Sequence, residues 1–108
     1  MNDVLCELYA VIGQRKKSPE EGSYTCYLFD KGLDKILKKV AEECGETIIA
    51  AKNNDKEQAV GEIADLLYHV LVLMSAQDIP LEALTEELAR RAEKLGNLKE
   101  TRETDRVT

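Results

Sequence analysis

Aromatic, cysteine and histidine residues are scarce in this chain, and their scarcity limits the kinds of core and site that it can build. Its 108 residues include no tryptophan, one phenylalanine and one histidine, so the core must be packed mostly by aliphatic side chains. The three cysteines, Cys6, Cys26 and Cys44, form no CxxC pair, which argues against a zinc site. Because an odd number of widely spaced cysteines is typical of a reducing compartment, we predict a cytoplasmic protein.

Basic residues are also fewer than acidic ones: the chain has 15 basic and 21 acidic residues, which gives a net charge of −6. This balance argues against binding to a nucleic-acid backbone. A nucleotide substrate is still compatible with it, because a bound metal ion can supply positive charge locally. The longest apolar run, residues 70–74, is too short to cross a bilayer, and the polar, acidic N-terminus does not resemble a signal peptide. We therefore predict neither a nucleic-acid partner nor a membrane partner.

Apolar residues recur at helical spacing in four segments, which predicts an all-α protein. The predicted helices cover about residues 3–14, 32–52, 56–76 and 80–95. Asp30 is a candidate N-cap for the second helix, and Asp55 for the third. Residues 18–21 predict a single helical turn capped by Ser18, and residues 22–29 predict an ordered loop.

The expected architecture is an up-and-down helical bundle built on an antiparallel hairpin of the second and third helices. The third helix is apolar almost all round in its second half, as expected of a helix at the centre of a bundle or an interface. A homodimer or a higher homo-oligomer would then complete the bundle. One domain is predicted for residues 1–98, and the polar residues 99–108 are predicted to form a flexible tail.

Two acidic pairs stand on the helices of this hairpin at i, i+3 spacing. Glu43 and Glu46 lie on the second helix, and Glu62 and Asp65 lie on the otherwise apolar third helix. An ionised carboxylate away from water is strongly disfavoured unless it is paired or binds a cation. Because a short turn joins the two helices, an antiparallel hairpin brings both pairs face to face. Four converging carboxylates predict a site for a hard cation, namely Mg²⁺ or Mn²⁺.

The acidic residues also have a purely structural interpretation, since charged residues make up 33% of the chain. Each pair alone is compatible with a solvated helix face and with salt bridges to Lys38, Lys39 or Arg90. The combined pattern, ExxE and ExxD separated by fifteen residues on facing helices, is much more specific and favours metal binding.

Two runs of sequence, KVAEECGE at residues 39–46 and EIADLLYH at residues 62–69, resemble the metal-binding signature of the MazG-like all-α nucleoside triphosphate pyrophosphatases. The Gly-Ser-Tyr-Thr segment at residues 22–25, taken with the ADLLYH run, resembles the phosphoribosyl-ATP pyrophosphatase family more narrowly. The resemblance covers residues 2–95. The family usually has a small residue, often alanine, where this chain has Cys44, and it often has glycine where this chain has Ala41 or Asn54. These departures leave the carboxylates intact.

The resemblance implies hydrolysis of phosphoribosyl-ATP to phosphoribosyl-AMP and pyrophosphate, the second step of histidine biosynthesis. The Mg²⁺ ligands that it implies are Glu43, Glu46, Glu62 and Asp65, with Glu42 as an outer or alternate ligand. Either Glu42 or Glu46 is a candidate to accept the proton of the attacking water. Since no second domain is present, the cyclohydrolase of the next step is expected on a separate chain.

Basic and loop residues near the carboxylates are candidates for binding the nucleotide substrate. Lys39, one turn before Glu43, is the best candidate for a phosphate contact, and Lys52 is the next. The other candidate contacts are loop residues: Ser23, Tyr24, Thr25 and Asn53. His69, one turn after Asp65, is a candidate for a hydrogen bond to a ligand carboxylate, although a core histidine or a dimer contact fits it as well.

Two other functions fit part of this pattern. A related enzyme that cleaves dUTP or aberrant nucleoside triphosphates would use the same metal chemistry with a different pocket. A non-catalytic helical interaction module would carry the acidic residues only for solubility, so it would need no magnesium. A panel of triphosphate substrates, assayed with and without Mg²⁺, separates the three functions.

Overall fold

The computed structural model describes residues 2–97 and the side chains of residues 4–96. Within that range all regular structure is helical, so the predicted all-α class is confirmed. The helices are α1 Asn2–Lys17, α2 Tyr24–Lys31, α3 Leu33–Lys52, α4 Lys56–Ala76 and α5 Leu81–Asn97. The tail predicted at residues 99–108 and the domain boundary at residue 98 lie outside the described residues.

Helices α3 and α4 form the predicted hairpin, and their contact is the most extensive one among the described helices. Residues 53–55 turn the chain between them, and Asn54 has a left-handed φ of 57°. Asp55 caps α4 as predicted, because its side chain accepts a hydrogen bond from the Gln58 N–H at 3.1 Å. Since the turn is centred on Asn54, residues equally far from it along the two helices lie at the same level of the hairpin.

The prediction of an ordered loop at residues 22–29 was wrong, because most of this segment forms helix α2. Ser23 is the N-cap of α2, and its side chain accepts a hydrogen bond from the Cys26 N–H at 3.2 Å. Aromatic and β-branched residues are only moderate helix formers, and eight residues are too few for an isolated helix. Leu28 is fully buried in the core, and this packing stabilises the helix.

The segments on either side of α2 also differ from the prediction. Ser18 does not cap a helical turn, because residues 18–21 are not helical; its N–H donates to the Gln14 carbonyl at 2.8 Å where α1 ends. Asp30 does not cap α3, because it lies inside α2. Gly32 separates the two helices with φ 98° and ψ −178°, a conformation that only glycine adopts readily. Its N–H donates to the Leu28 carbonyl at 3.0 Å, so a single residue ends α2 and precedes α3.

The core lies where the first four helices meet, and α4 runs through it. The largest fully buried side chains come from all four helices: Ile12, Leu28, Ile36, Leu71 and Val72. Helix α5 joins this core through Leu81 and Leu84. By length and composition alone α4 could cross a membrane, but it packs against α1, α2 and α3 and carries two of the predicted metal ligands.

The hairpin leaves apolar side chains exposed near its turn. We define the hairpin patch as Ile48 and Ile49 of α3 together with Val60 and Ile63 of α4. Ile48 is 62% exposed and Val60 is 68% exposed, and each lies six residues from Asn54, so they share one level of the hairpin. A contiguous exposed apolar surface commonly marks an interaction site.

Candidate active site

Three of the four predicted metal ligands converge on the hairpin. One oxygen from each of Glu43, Glu62 and Asp65 lies within 4.8 Å of the other two. The turn explains this arrangement, because Glu43 and Asp65 are each eleven residues from Asn54 and so lie at one level. The i, i+3 spacing then places Glu62 beside Asp65 on the same face of α4. We call these three residues the carboxylate cluster.

Glu46, the fourth predicted ligand, flanks the carboxylate cluster. Glu46 and Glu62 are each eight residues from Asn54, so they also share a level of the hairpin. The pKa of Glu62 is raised, first by burial, then by a hydrogen bond with Glu46, and then by the negative charges of the surrounding carboxylates. The carboxylates around Glu62 therefore disfavour the ionised form of its side chain.

Two oxygens of the carboxylate cluster, Glu43 Oε1 and Glu62 Oε1, are buried without a hydrogen-bond partner in the part of the chain that the structure describes. A buried acceptor left unpaired destabilises the folded state, and more so when it carries charge. A divalent cation would satisfy both oxygens at once. Because all the donors are carboxylate oxygens, the cluster fits a hard ion such as Mg²⁺ or Mn²⁺.

Lys39 lies at the edge of the carboxylate cluster, one turn before Glu43. Its Nζ is 3.2 Å from Glu42 Oε1 and 3.8 Å from Glu43 Oε2. The hydrogen bond with Glu42 is the main reason that the pKa of Lys39 is raised. Lys39 is therefore a charged ammonium group beside the cluster, whereas Glu42 lies outside the cluster and is engaged by Lys39.

Hydrogen bonds through His69 connect α2 to the backbone of the carboxylate cluster. The buried His69 ring places Nδ1 2.7 Å from the Asp65 carbonyl oxygen and Nε2 2.9 Å from the Tyr24 hydroxyl. Because a carbonyl oxygen can only accept, Nδ1 donates to it, and Nε2 of the neutral ring accepts from the Tyr24 hydroxyl. Burial raises the pKa of Tyr24, and the nearby charge of Lys39 opposes this shift. His69 thus bonds to the backbone of Asp65 rather than to its carboxylate, and it positions Tyr24 beside the cluster.

The side chains on either side of Tyr24 in sequence form hydrogen bonds within the protein. Ser23 caps α2, and the Thr25 hydroxyl is hydrogen-bonded to the Tyr68 hydroxyl. The Tyr24 ring, by contrast, is exposed on one side and stacks on the Tyr68 ring with the centroids 6.2 Å apart. Of the three predicted substrate contacts at residues 23–25, Tyr24 is therefore the one whose side chain is both accessible and close to the carboxylate cluster.

Lys52 and Asn53 lie at the far end of the hairpin from these groups. Lys52 follows Glu43 by nine residues, which is about 14 Å along the helix axis at the usual rise per residue. Asn53 is the C-cap of α3, and its N–H donates to the Ile49 carbonyl at 3.0 Å. Within one copy of the chain, the structure does not bring either residue to the carboxylate cluster.

A groove of about 770 Å³ opens between the end of α1 and helix α2, and the sequence interpretation missed it. Its walls include Arg15, Tyr24, Tyr27 and Phe29. Volumes of this order suit a nucleotide-sized ligand. The signal in the sequence was Ser23 followed by apolar residues, which would have predicted a capped helix and placed Tyr24 and Tyr27 on it, one turn apart.

Comparison with known proteins identifies relatives over nearly the whole chain. A family model described as Phosphoribosyl-ATP pyrophosphohydrolase matches residues 5–92. A curated relative from Clostridium botulinum (strain Kyoto / Type A2), named Phosphoribosyl-ATP pyrophosphatase, is 54% identical over 103 residues, which cover 95% of this chain and 94% of the relative. A relative of the same name from Bacillus mycoides (strain KBAB4) is 51% identical over 105 residues, which cover 97% of this chain and 98% of the relative. A third relative of this name, from Listeria innocua serovar 6a, is 55% identical over 100 residues, which cover 93% of this chain and 96% of the relative.

Proposed function

The chain belongs to the phosphoribosyl-ATP pyrophosphohydrolase family, and on that premise we propose that it hydrolyses phosphoribosyl-ATP to phosphoribosyl-AMP and pyrophosphate. The observation that carries the proposal is the carboxylate cluster, in which three oxygens approach within 4.8 Å and two buried oxygens have no hydrogen-bond partner among the described residues. The name shared by the relatives supplies the substrate. We therefore assign the protein to the second step of histidine biosynthesis.

Mg²⁺ is the cofactor in this proposal, with Mn²⁺ as a substitute. Glu43, Glu62 and Asp65 would hold it, and Glu46 is the fourth candidate ligand because it lies against Glu62. A divalent cation bound there neutralises phosphate charge and lowers the pKa of a coordinated water. The proposal is supported by the donor set, since an all-carboxylate site suits these ions better than zinc.

The residues around the carboxylate cluster would bind phosphate and accept a proton. The Lys39 ammonium group, beside Glu43, is placed to contact a phosphate oxygen. Glu42 is engaged by Lys39 at 3.2 Å, whereas Glu46 makes no ion pair among residues 4–96. We therefore assign Glu46, rather than Glu42, as the acceptor of the proton from the attacking water.

A cytoplasmic homodimer or higher homo-oligomer is the second part of the proposal. The hairpin patch supports it, because apolar residues that one copy leaves exposed can be covered by a second copy. The proposal includes no nucleic-acid or membrane partner, and it leaves the following cyclohydrolase reaction to a separate chain. The expected mass in a sedimentation experiment is that of at least two copies.

The test of the activity is pyrophosphate release from phosphoribosyl-ATP, with dUTP and ATP assayed alongside, each with and without Mg²⁺. We expect Mg²⁺-dependent release from phosphoribosyl-ATP and a fall of more than about 100-fold in kcat for Glu62→Gln. The matched control is Glu57→Gln, an exposed glutamate in the first turn of α4, which should keep full activity. Release mainly from dUTP would contradict the proposed substrate, and metal-independent release would contradict the proposed chemistry.

A further inference from the structure

Helix α2 presents two tyrosine rings to solvent beside the carboxylate cluster. Tyr24 is 45% exposed and Tyr27 is 42% exposed, and their ring centroids are 6.0 Å apart with the planes inclined by 24°. Both rings line the groove between α1 and α2. Tyr24 is held by His69, but the proposed chemistry has no use for Tyr27. Exposed, nearly parallel rings that line a groove provide a surface on which a purine base can stack.

Two lysines meet at the ring of Tyr27. The Lys31 Nζ lies 5.8 Å from the Tyr27 ring centroid, and the Lys35 Nζ lies 5.9 Å from it. They come from different helices, because Lys31 ends α2 and Lys35 lies in the first turns of α3, with Gly32 between them. Neither lysine forms an ion pair with an acidic side chain in the described range. In a chain with a net charge of −6, two ammonium groups brought to one ring form a local site for an anion.

This lysine pair lies next to the carboxylate cluster but is separate from it. Lys35 and Lys39 are i, i+4 neighbours on α3, so they share a face, and Lys39 contacts Glu43 of the cluster. On the α2 side, Tyr27 stacks on Tyr24, whose hydroxyl reaches His69. A ligand can therefore extend from the cluster, across the two tyrosines, to the lysine pair.

The chemistry of phosphoribosyl-ATP matches two separate anion sites. One arm carries the triphosphate, and a second ribose on the other side of the base carries a phosphate monoester. We propose that Lys31 and Lys35, assembled around Tyr27, bind this second phosphate and thereby select phosphoribosyl-ATP over nucleotides with a single phosphate-bearing arm. This assignment rests on the proposed function. It makes Lys35 a specificity residue rather than an ordinary solvated helix charge.

The experiment compares Lys31→Met and Lys35→Met with Lys38→Met. Lys38 is an exposed lysine of α3 that makes neither an ion pair nor a ring contact among residues 4–96, so it controls for loss of charge alone. We expect the KM for phosphoribosyl-ATP to rise about tenfold or more in the first two variants, with kcat changed less than about twofold, and both constants unchanged in Lys38→Met. Equal KM values in all three variants would overturn the assignment.

A binding measurement keeps this result distinct from the activity test. Calorimetry with phosphoribosyl-AMP and with AMP needs no turnover. Wild-type protein should prefer phosphoribosyl-AMP, and Lys35→Met should remove that preference while leaving the Kd for AMP unchanged. If wild-type protein releases no pyrophosphate from phosphoribosyl-ATP, the proposed function fails. If wild-type protein turns over but Lys35→Met keeps the preference, the lysine assignment alone fails.

Discussion

At the scale of single residues, the strongest indication of a binding site comes from two buried carboxylate oxygens. Glu43 Oε1 and Glu62 Oε1 have no hydrogen-bond partner in the described part of the chain, and burial is the largest cause that raises the pKa of Glu62. Such atoms destabilise a folded protein unless a ligand satisfies them. Their presence at the centre of the hairpin is therefore best understood as a feature retained for binding a cation.

The first prediction concerns the effect of Mg²⁺ on stability. Saturation at about 100 times the Kd should stabilise wild-type protein by about 2.7 kcal/mol, measured as a rise in Tm on titration with MgCl₂. Glu62→Gln should lose most of this rise and, without metal, should be at least as stable as wild type, because one crowded charge is removed. Glu57→Gln is the control and should respond like wild type. A full Mg²⁺ response in Glu62→Gln would exclude Glu62 as a ligand.

The second prediction concerns the hydroxyl of Tyr24. Tyr24→Phe removes the donor to the buried His69 Nε2 and leaves that nitrogen unpaired, which should cost about 1–3 kcal/mol in the free energy of unfolding by urea. Tyr27→Phe is the matched control, because the Tyr27 hydroxyl makes no hydrogen bond among the described residues. Equal stability of the two variants would show that the Tyr24–His69 bond does not hold α2 in place.

At the scale of elements, the short helix α2 decides what lies beside the carboxylate cluster. Ser23 caps its start, Leu28 anchors it in the core, and Gly32 ends it. Gly32 also sets the direction of α3 relative to α2, and so brings Lys35 of α3 to the ring that Lys31 of α2 approaches. A change at this one glycine should therefore affect both helices.

The third prediction tests the backbone of Gly32. Gly32→Ala forces a β-carbon into φ 98° and ψ −178° and should lower the free energy of unfolding by about 1–3 kcal/mol. The strain lies in the local backbone, since no described residue other than the two chain neighbours of Gly32 lies within 4 Å of the added carbon. The control is Gly13→Ala in α1, which also meets open space but has helical geometry, so it should raise stability by about 0.5–1 kcal/mol. Opposite signs in urea unfolding are expected, and a neutral Gly32→Ala would contradict the argument.

At the scale of the whole molecule, the described residues 2–97 leave part of the hairpin uncovered. Helices α1 and α2 pack on the inner face of α4, whereas Ile48, Ile49, Val60 and Ile63 remain exposed near the turn. Exposed aliphatic side chains at one level of a hairpin are typical of a surface that a second copy covers. The proposed oligomer follows from this uncovered surface.

The fourth prediction tests that oligomer. Val60→Glu places a charge in the hairpin patch and should weaken association by at least about tenfold, seen as a fall in mass by sedimentation equilibrium. Val4→Glu alters an equally exposed valine on α1 and should leave the mass unchanged. A wild-type monomer at all concentrations would contradict the oligomer outright, and an unchanged mass for Val60→Glu would exclude this patch as its interface.

Part of this protein was determined by its sequence alone. The apolar periodicity predicted the helices of the hairpin, and Asp55 was identified as the cap of α4. Because the turn at residues 53–55 is short, the positions of the acidic residues were enough to predict that the pair Glu43 and Glu46 would face the pair Glu62 and Asp65. These features depend on local propensity and on a connection of a few residues, which a sequence specifies directly.

Tertiary structure decided the rest. Helix α2 is too short to be stable by itself, so the cap at Ser23 is not sufficient, and the packing of Leu28 stabilises as a helix the segment that was predicted to be a loop. That packing brought Tyr24 to His69. Lys31 is one turn after Tyr27 on α2 itself, and the placement of α3 against α2 brought Lys35 to the same ring. The contact between Tyr24 and His69, 45 positions apart in sequence, depends on how the helices pack, and no local pattern encodes it.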